Sequence, residues 1–245
     1  MYKQLATFTL TAVSLVFASA AFSHTRLETP SITDGVRVTN NVVIGHGCGA
    51  EGSTVRNPVI GTSVVFPDGV DSTITVDGQP YTGNLSDFID NWVNIPKQNY
   101  SRAVFDLQDV KTDSQGNVIG FWAGGNPLPT SMNGYVPFRI NAVTFTEGSC
   151  ASSVEFFISI VDICEITPIS GFSESTVGLW THNSLGTPYD RQGTEDDGPA
   201  SLTVTRTSTL PASCGAGQVV KVKPSAAQIN RDMPIIYNGQ QVWPQ

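Results

Sequence analysis

The chain is poor in histidine, in cations and in long apolar runs, and each shortage excludes something. Lys and Arg number 13 against 21 Asp and Glu, a formal charge of −8 with a pI near 4.7. A phosphate backbone requires a basic surface, so this balance argues against nucleic acid as a partner. No apolar run reaches the roughly 18 residues that cross a bilayer as a helix, so the chain is not expected to be transmembrane. The four cysteines, Cys48, Cys150, Cys164 and Cys214, include no C-x-x-C pair, which argues against a zinc knuckle. Signatures of common enzymes are missing as well: there is no G-x-S-x-G, H-E-x-x-H or P-loop, and no G-x-G-x-x-G after a strand. The paired carboxylates Asp196 and Asp197 sit in Thr194-Glu195-Asp196-Asp197-Gly198-Pro199, which reads as a solvated turn or a weak calcium loop.

What is present begins with an export signal. Met1-Tyr2-Lys3 precedes an apolar run from Leu5 to Val16 and then small residues through Ser23, the three-part pattern of a cleaved secretory peptide over residues 1–23. Cuts after Ala20, Ala21 or Ser23 all fit the pattern. The last would start the mature chain at His24, where a free α-amine and an imidazole can chelate one metal ion together. An even cysteine count in an exported chain favours two disulfides, and spacing leaves all three pairings open. The expected location is the periplasm or the outer cell surface.

Short β-branched and aromatic runs dominate the remainder, among them Asn41–Ile44, Thr62–Phe66, Ser72–Val76, Arg102–Phe105, Val118–Trp122, Val136–Ile140, Val154–Val161, Ser201–Thr205 and Val219–Val222. Turn residues separate them, as in Pro67-Asp68-Gly69, Asp77-Gly78 and Asn133-Gly134. The pattern predicts an all-β fold, an antiparallel β-sandwich with few short helices. Only Leu85 to Val93 reads as weakly helical. A domain over residues 24–208 is expected, followed by a C-terminal extension, 209–245, tied down through Cys214.

The three histidines are the residues that suggest chemistry. His24 stands near the mature start. His46 lies between glycines in Gly45-His46-Gly47-Cys48, and His182 lies two positions after Trp180. An extended backbone would put Trp180 and His182 on one side. Imidazoles in an exported chain without thiolates suit copper best, as Cu(I) at low coordination number or Cu(II) with an amine. Ligand nitrogens must be unprotonated, so binding should weaken as pH falls through the histidine range.

Two family resemblances bear on these residues. The ordered set His24-Thr25 with Pro30, His46-Gly47-Cys48, Val64–Val70 ending in Pro67-Asp68-Gly69-Val70, Gly124–Pro129 and Phe156–Cys164 followed by Trp180 resembles the YcnI-like domain of bacterial copper-handling proteins. That resemblance implies a β-sandwich that holds copper through the amine and ring of His24, beside Trp180 and an acid for which Glu28 is the candidate. It also implies the disulfides Cys48–Cys164 and Cys150–Cys214. The element Trp180-Thr181-His182 resembles the Trp-x-His copper sites of the MopE and CorA surface proteins of methane-oxidising bacteria. There the Trp is oxidised to kynurenine, whose new amine binds the metal, and a remote histidine such as His24 or His46 completes the site.

The expectation is an exported copper-binding protein, a scavenger, uptake protein or chaperone. It draws its ligands from His24, His46, His182 and Trp180 and passes the ion to a delivery or membrane partner. Two rivals stand beside it. One is a copper monooxygenase with a histidine brace at His24; the other is a metal-free surface interaction module.

Overall fold

The computed structural model describes residues 24–50, 52–90, 92, 95–194, 196 and 198–245, so the expected signal peptide lies outside the described residues. The strands of the first half are β1 (Arg26–Leu27), β2 (Ser31–Thr33), β3 (Val38–Ile44), β4 (Val59–Val65), β5 (Ser72–Val76), β6 (Gln79–Tyr81), β7 (Pro96–Gln98) and β8 (Leu107–Thr112). The second half adds β9 (Val118–Leu128), β10 (Gly134–Ile140), β11 (Ala151–Ile163), β12 (Val177–Trp180), β13 (Ala200–Thr205), β14 (Gln218–Pro224), β15 (Ile235–Tyr237) and β16 (Gln240–Trp243), with an α-helix, α1 (Ala226–Asp232). The expected all-β sandwich is the fold.

A small sheet, β1-β3-β10-β7, faces a large one ordered β6-β5-β14-β11-β4-β9-β8, with β12 and β13 also on β11 and β2 on β13. Neighbours run antiparallel except in two ladders, β11 with β14 and β13 with β2, which are parallel. Between the sheets lies one apolar cluster. Val42, Ile44, Val136, Phe138 and Ile140 of the small sheet meet Val64, Phe121, Phe156, Ile158 and Ile160 of the large one.

The large sheet is buried on both faces where β4, β9 and β11 meet. Side chains alternate along a strand, so Val64, Phe121 and Ile160 enter the inter-sheet core. Their neighbours Val65, Trp122 and Val161 point to the other side. There they are covered by Ile229 and Met233 at α1, by Ile235 and by Trp243. This two-sided burial explains the unbroken apolar runs that the sequence shows in these strands. The C-terminal segment, expected as an extension, also builds the sheet itself: β14 is a strand inside the large sheet, between β5 and β11. The short helix α1 that follows is capped by Ser225, whose hydroxyl accepts from the Gln228 N–H.

Two local expectations need correction. Arg102–Phe105 is not a strand; Phe105 plugs the core from a loop. The strand nearby is β8, whose mostly exposed, polar sequence Leu-Gln-Asp-Val-Lys-Thr reflects its place at the sheet edge. Of the helical reading at Leu85 to Val93, the described residues keep only a 3-10 turn, Leu85–Asp87. Both disulfides form in the pairing that the resemblance implied, Cys48–Cys164 and Cys150–Cys214.

Candidate metal centre

At one end of the sandwich the two sheets meet over a small set of polar side chains. Arg26 of β1 stands opposite Val43 of β3 in antiparallel register. His24 and Thr25, just before β1, therefore lie beside the end of β3, where His46 follows. On the large sheet Asp162 is opposite Gly178, and Ile160 opposite Trp180. Residues at even spacing share a face, so Asp162, Gly178 and Trp180 all face the small sheet. Gly178 makes room for the indole: a Cβ there would stand 3.2 Å from Trp180 Nε1 and 3.6 Å from Asp162 Cβ.

Asp162 joins the two sheets. Its Oδ2 accepts the Trp180 indole N–H at 2.7 Å and also the hydroxyl of Thr25 from the small-sheet side. Two residues further along, Cys164 is bonded to Cys48, which follows His46 by two positions. Asp162 is only 2 % exposed, and burial pushes its pKa above the ordinary carboxylate value, against the two hydrogen bonds that favour the ionised form. Its other oxygen, Oδ1, is buried without a partner.

His24, His46 and Trp180 line one open cleft of about 670 Å³. The His24 ring lies 4.9 Å from the Trp180 ring at a tilt of 35°, and the His46 ring 5.8 Å from it in an edge-on arrangement. His46 Nδ1 is 2.6 Å from the carbonyl oxygen of Gly47. A carbonyl only accepts, so Nδ1 carries the proton and Nε2 the lone pair. That Nε2 is buried and has no partner. Backbone carbonyls fix metal-ligating histidines in the same way, aiming the other nitrogen at the ion.

Gly47 itself is required by packing. Cys48 and Asn57 bridge their backbones, and a Cβ on Gly47 would collide with the Asn57 carbonyl. The space beside Gly47 is thus filled by the chain itself.

Two arginines flank the histidines. Arg56 Nη1 donates to the carbonyls of Gly47 and Gly49 at 3.3 and 3.1 Å and lies 3.3 Å from His46 Nδ1. Arg191 Nη1 lies 3.3 Å from His24 Nε2, and its guanidinium sits 5.7 Å from the Trp180 ring centre.

His182 is not among the residues of this cleft. β12 ends at Trp180, and the bend that follows breaks the alternation the sequence suggested. The His182 ring instead packs edge-on against Phe157 at 5.4 Å, with Nδ1 2.8 Å from Asp196 Oδ1. Burial drives its pKa below the ordinary histidine value, partly opposed by Asp196.

Among the described residues no three His, Cys, Asp or Glu side chains converge as a metal-binding group. The donors lining the cleft are the imidazoles of His24 and His46, the exposed carboxylate of Glu174 and the buried one of Asp162, which has one unpartnered oxygen; no thiol is present because all four cysteines are bonded. Imidazole and carboxylate are donors for borderline and hard metal ions rather than soft ones.

Sequence reasoning missed Asp162, Thr25, Arg56 and Arg191. Asp162 left one signal, a lone carboxylate in the apolar run Ile160-Val161-Asp162-Ile163 just before a cysteine. Glu28, the acid suggested by resemblance, is exposed and bonded to Asn41, while Asp162 is the acid that touches Trp180.

No family model matches the chain, and no curated protein matches it. Among solved structures it is similar to a crystal structure of an uncharacterized protein from Nocardia farcinica, described as having an immunoglobulin-like fold. The two are 11% identical, the alignment covers 76% of this chain and 99% of that one, and the TM-score is 0.39.

Proposed function

We propose that the protein is an exported copper carrier or scavenger that holds one ion between His24 and His46 at the end of the sandwich. The observation that carries this reading is His46: its Nδ1 is committed to the Gly47 carbonyl, and its Nε2 is buried and unpartnered in the cleft that His24 also lines. Copper is the cargo, and the chain supplies imidazole nitrogens in a setting without thiols. The α-amine of His24 completes the donor set once the signal is removed after Ser23.

Trp180 serves as a wall rather than a ligand in this reading. Its N–H is already given to Asp162, and an indole N–H only donates. A kynurenine site shared by residues 180 and 182 draws no support from the arrangement, because His182 turns to Phe157 and Asp196. Export to the periplasm or cell surface is supported by the two disulfides, which persist in oxidising compartments. No helix among the described residues is long and apolar enough to cross a membrane.

The test is a copper titration of the mature protein against a competing chelator, with the N-terminal residue established by mass spectrometry. One equivalent should bind, and His46→Ala or a residue added before His24 should weaken it by on the order of 100-fold. Equal binding by the wild type and both altered forms would refute the site.

A further inference from the structure

The C-terminal strap, residues 225–245, lies on the face of the large sheet that points away from the small one. It is held there by packing and not by a ladder, since β15 pairs with β16 alone. Ile229, Met233, Ile235 and Trp243 bury themselves against Val65, Trp122, Val161 and Ile163. The same contact carries a penalty. The indole N–H groups of Trp122 and Trp243 are both buried without an acceptor, and an unpaired buried donor opposes docking. Near the end of the strap Trp243 stacks on Phe172, ring centres 5.4 Å apart, and Phe172 lines the cleft.

Lys111 of β8 reaches under this strap. Its Nζ donates to the carbonyls of Met233 and Pro234 at 3.3 and 2.6 Å, and Ser63 Oγ donates to the same Met233 carbonyl at 2.7 Å. The amine is thus buried against carbonyl dipoles. The acid that acts on it is Asp232, whose two oxygens are each taken by Arg231 at 2.7 Å. Behind Arg231 stand Asp68 and Asp71, from the loop between β4 and β5. On its own strand Asp109 is exposed on the same side, and Asp113 lies just past the strand end. Strands β4, β9 and β16 bring no ionisable residue, and β15 brings only Tyr237. Burial lowers the Lys111 pKa to about 7, partly opposed by Asp232.

We infer that the strap is a proton-sensitive clasp, docking over Lys111 as a neutral amine and loosening over the ammonium. Nothing in this device depends on what the cleft binds. A released strap returns the amine to water and to its ordinary value of 10.5. Between about 7 and 10.5 the released form therefore binds more protons than the docked one. Docking weakens as pH falls through that window and levels off below it.

Hydrogen exchange of the whole mature protein at pH 6 and pH 8 tests it, with each amide corrected for its intrinsic rate and the amides of β3 and β10 as internal reference. With about 7 for the docked amine and 10.5 for the released one, the released fraction should rise about tenfold from pH 8 to pH 6. Lys111→Met keeps the apolar stem and removes the amine, so its strap should stay protected at both values. Lys111→Arg stays charged, so its strap should exchange readily at both. A wild-type strap equally protected at pH 6 and pH 8, or a pH dependence that persists in Lys111→Met, would overturn the inference. A Lys111→Met strap unprotected at both values would overturn it as well, because the hydrogen bonds of the amine and not its charge would then govern docking.

Discussion

Trp180 and His182 are two residues apart in sequence and end in opposite surroundings. Trp180 stands in an open cleft, its N–H held by the buried Asp162 and its ring against His24 and His46. His182 is 2 % exposed and closed in by Phe157 and by Asp196, a carboxylate whose side chain is 40 % exposed. In the first region the acid is buried and its pKa raised; in the second the histidine is buried and its pKa lowered, while Asp196 is held low by the hydrogen bond to His182 despite partial burial. The comparison teaches that an imidazole close to a tryptophan in sequence is not thereby part of its site. What assigns a histidine to the cleft is the strand end that carries it.

Four experiments sharpen or break this contrast. The largest effect is expected at the disulfides. Replacing Cys48 and Cys164 by Ser removes a link across 116 residues that also ties the His46 loop to β11. It should destabilise the fold by about 2–5 kcal/mol and abolish copper retention, measured by denaturant unfolding and metal analysis. The same change at Cys150 and Cys214, 64 residues apart and remote from the cleft residues, should cost stability of similar order and leave copper bound in the folded fraction.

His182→Ala should destabilise by about 1–3 kcal/mol through the lost buried ring and its hydrogen bond, with copper affinity unchanged. A fall in affinity matching that of His46→Ala would place His182 back in the metal site.

Asp162→Asn keeps an acceptor for Trp180 and Thr25 but removes a buried charge. Copper affinity should fall roughly tenfold, by loss of a nearby negative charge, while stability near neutral pH holds or rises, since the desolvation penalty disappears.

The smallest effect is on pH dependence, and the two regions should act in opposite directions. A histidine with a lowered folded pKa contributes stability that is present above its unfolded value of 6.5 and is lost as pH falls below it toward the folded value. A carboxylate with a raised folded pKa does the reverse: its contribution is present at low pH and is lost as pH rises from its unfolded value of 3.8 through the folded one. Metal-free His182→Ala should therefore flatten the fall in melting temperature below pH 6.5, and Asp162→Asn should flatten the fall above pH 3.8; unchanged slopes would contradict both assignments.

Much of the fold could be read from residues. Ser72–Val76 coincides with β5, and the runs at 136–140 and 154–161 lie within β10 and β11. Apolar alternation and turn chemistry carry that information locally. β8 escaped because an edge strand exposed to water has no apolar pattern, and α1 because one short capped helix has little periodicity to show. At the site, His24, His46 and Trp180 could be picked out by composition and spacing. Asp162, Arg56 and Arg191 could not, since nothing in the order of residues reveals that β1, β11 and the loops after residues 48 and 182 meet at one end of the sandwich.

The central claim is that His46 and a processed His24 hold one copper ion, and copper bound per mature chain tests it most directly. Side-by-side titrations of wild type, His24→Ala, His46→Ala and His182→Ala against one competing chelator, set to outcompete a site weakened about 100-fold, should give one equivalent for wild type and His182→Ala and none for the other two. One equivalent in every variant, or none in any, would contradict it.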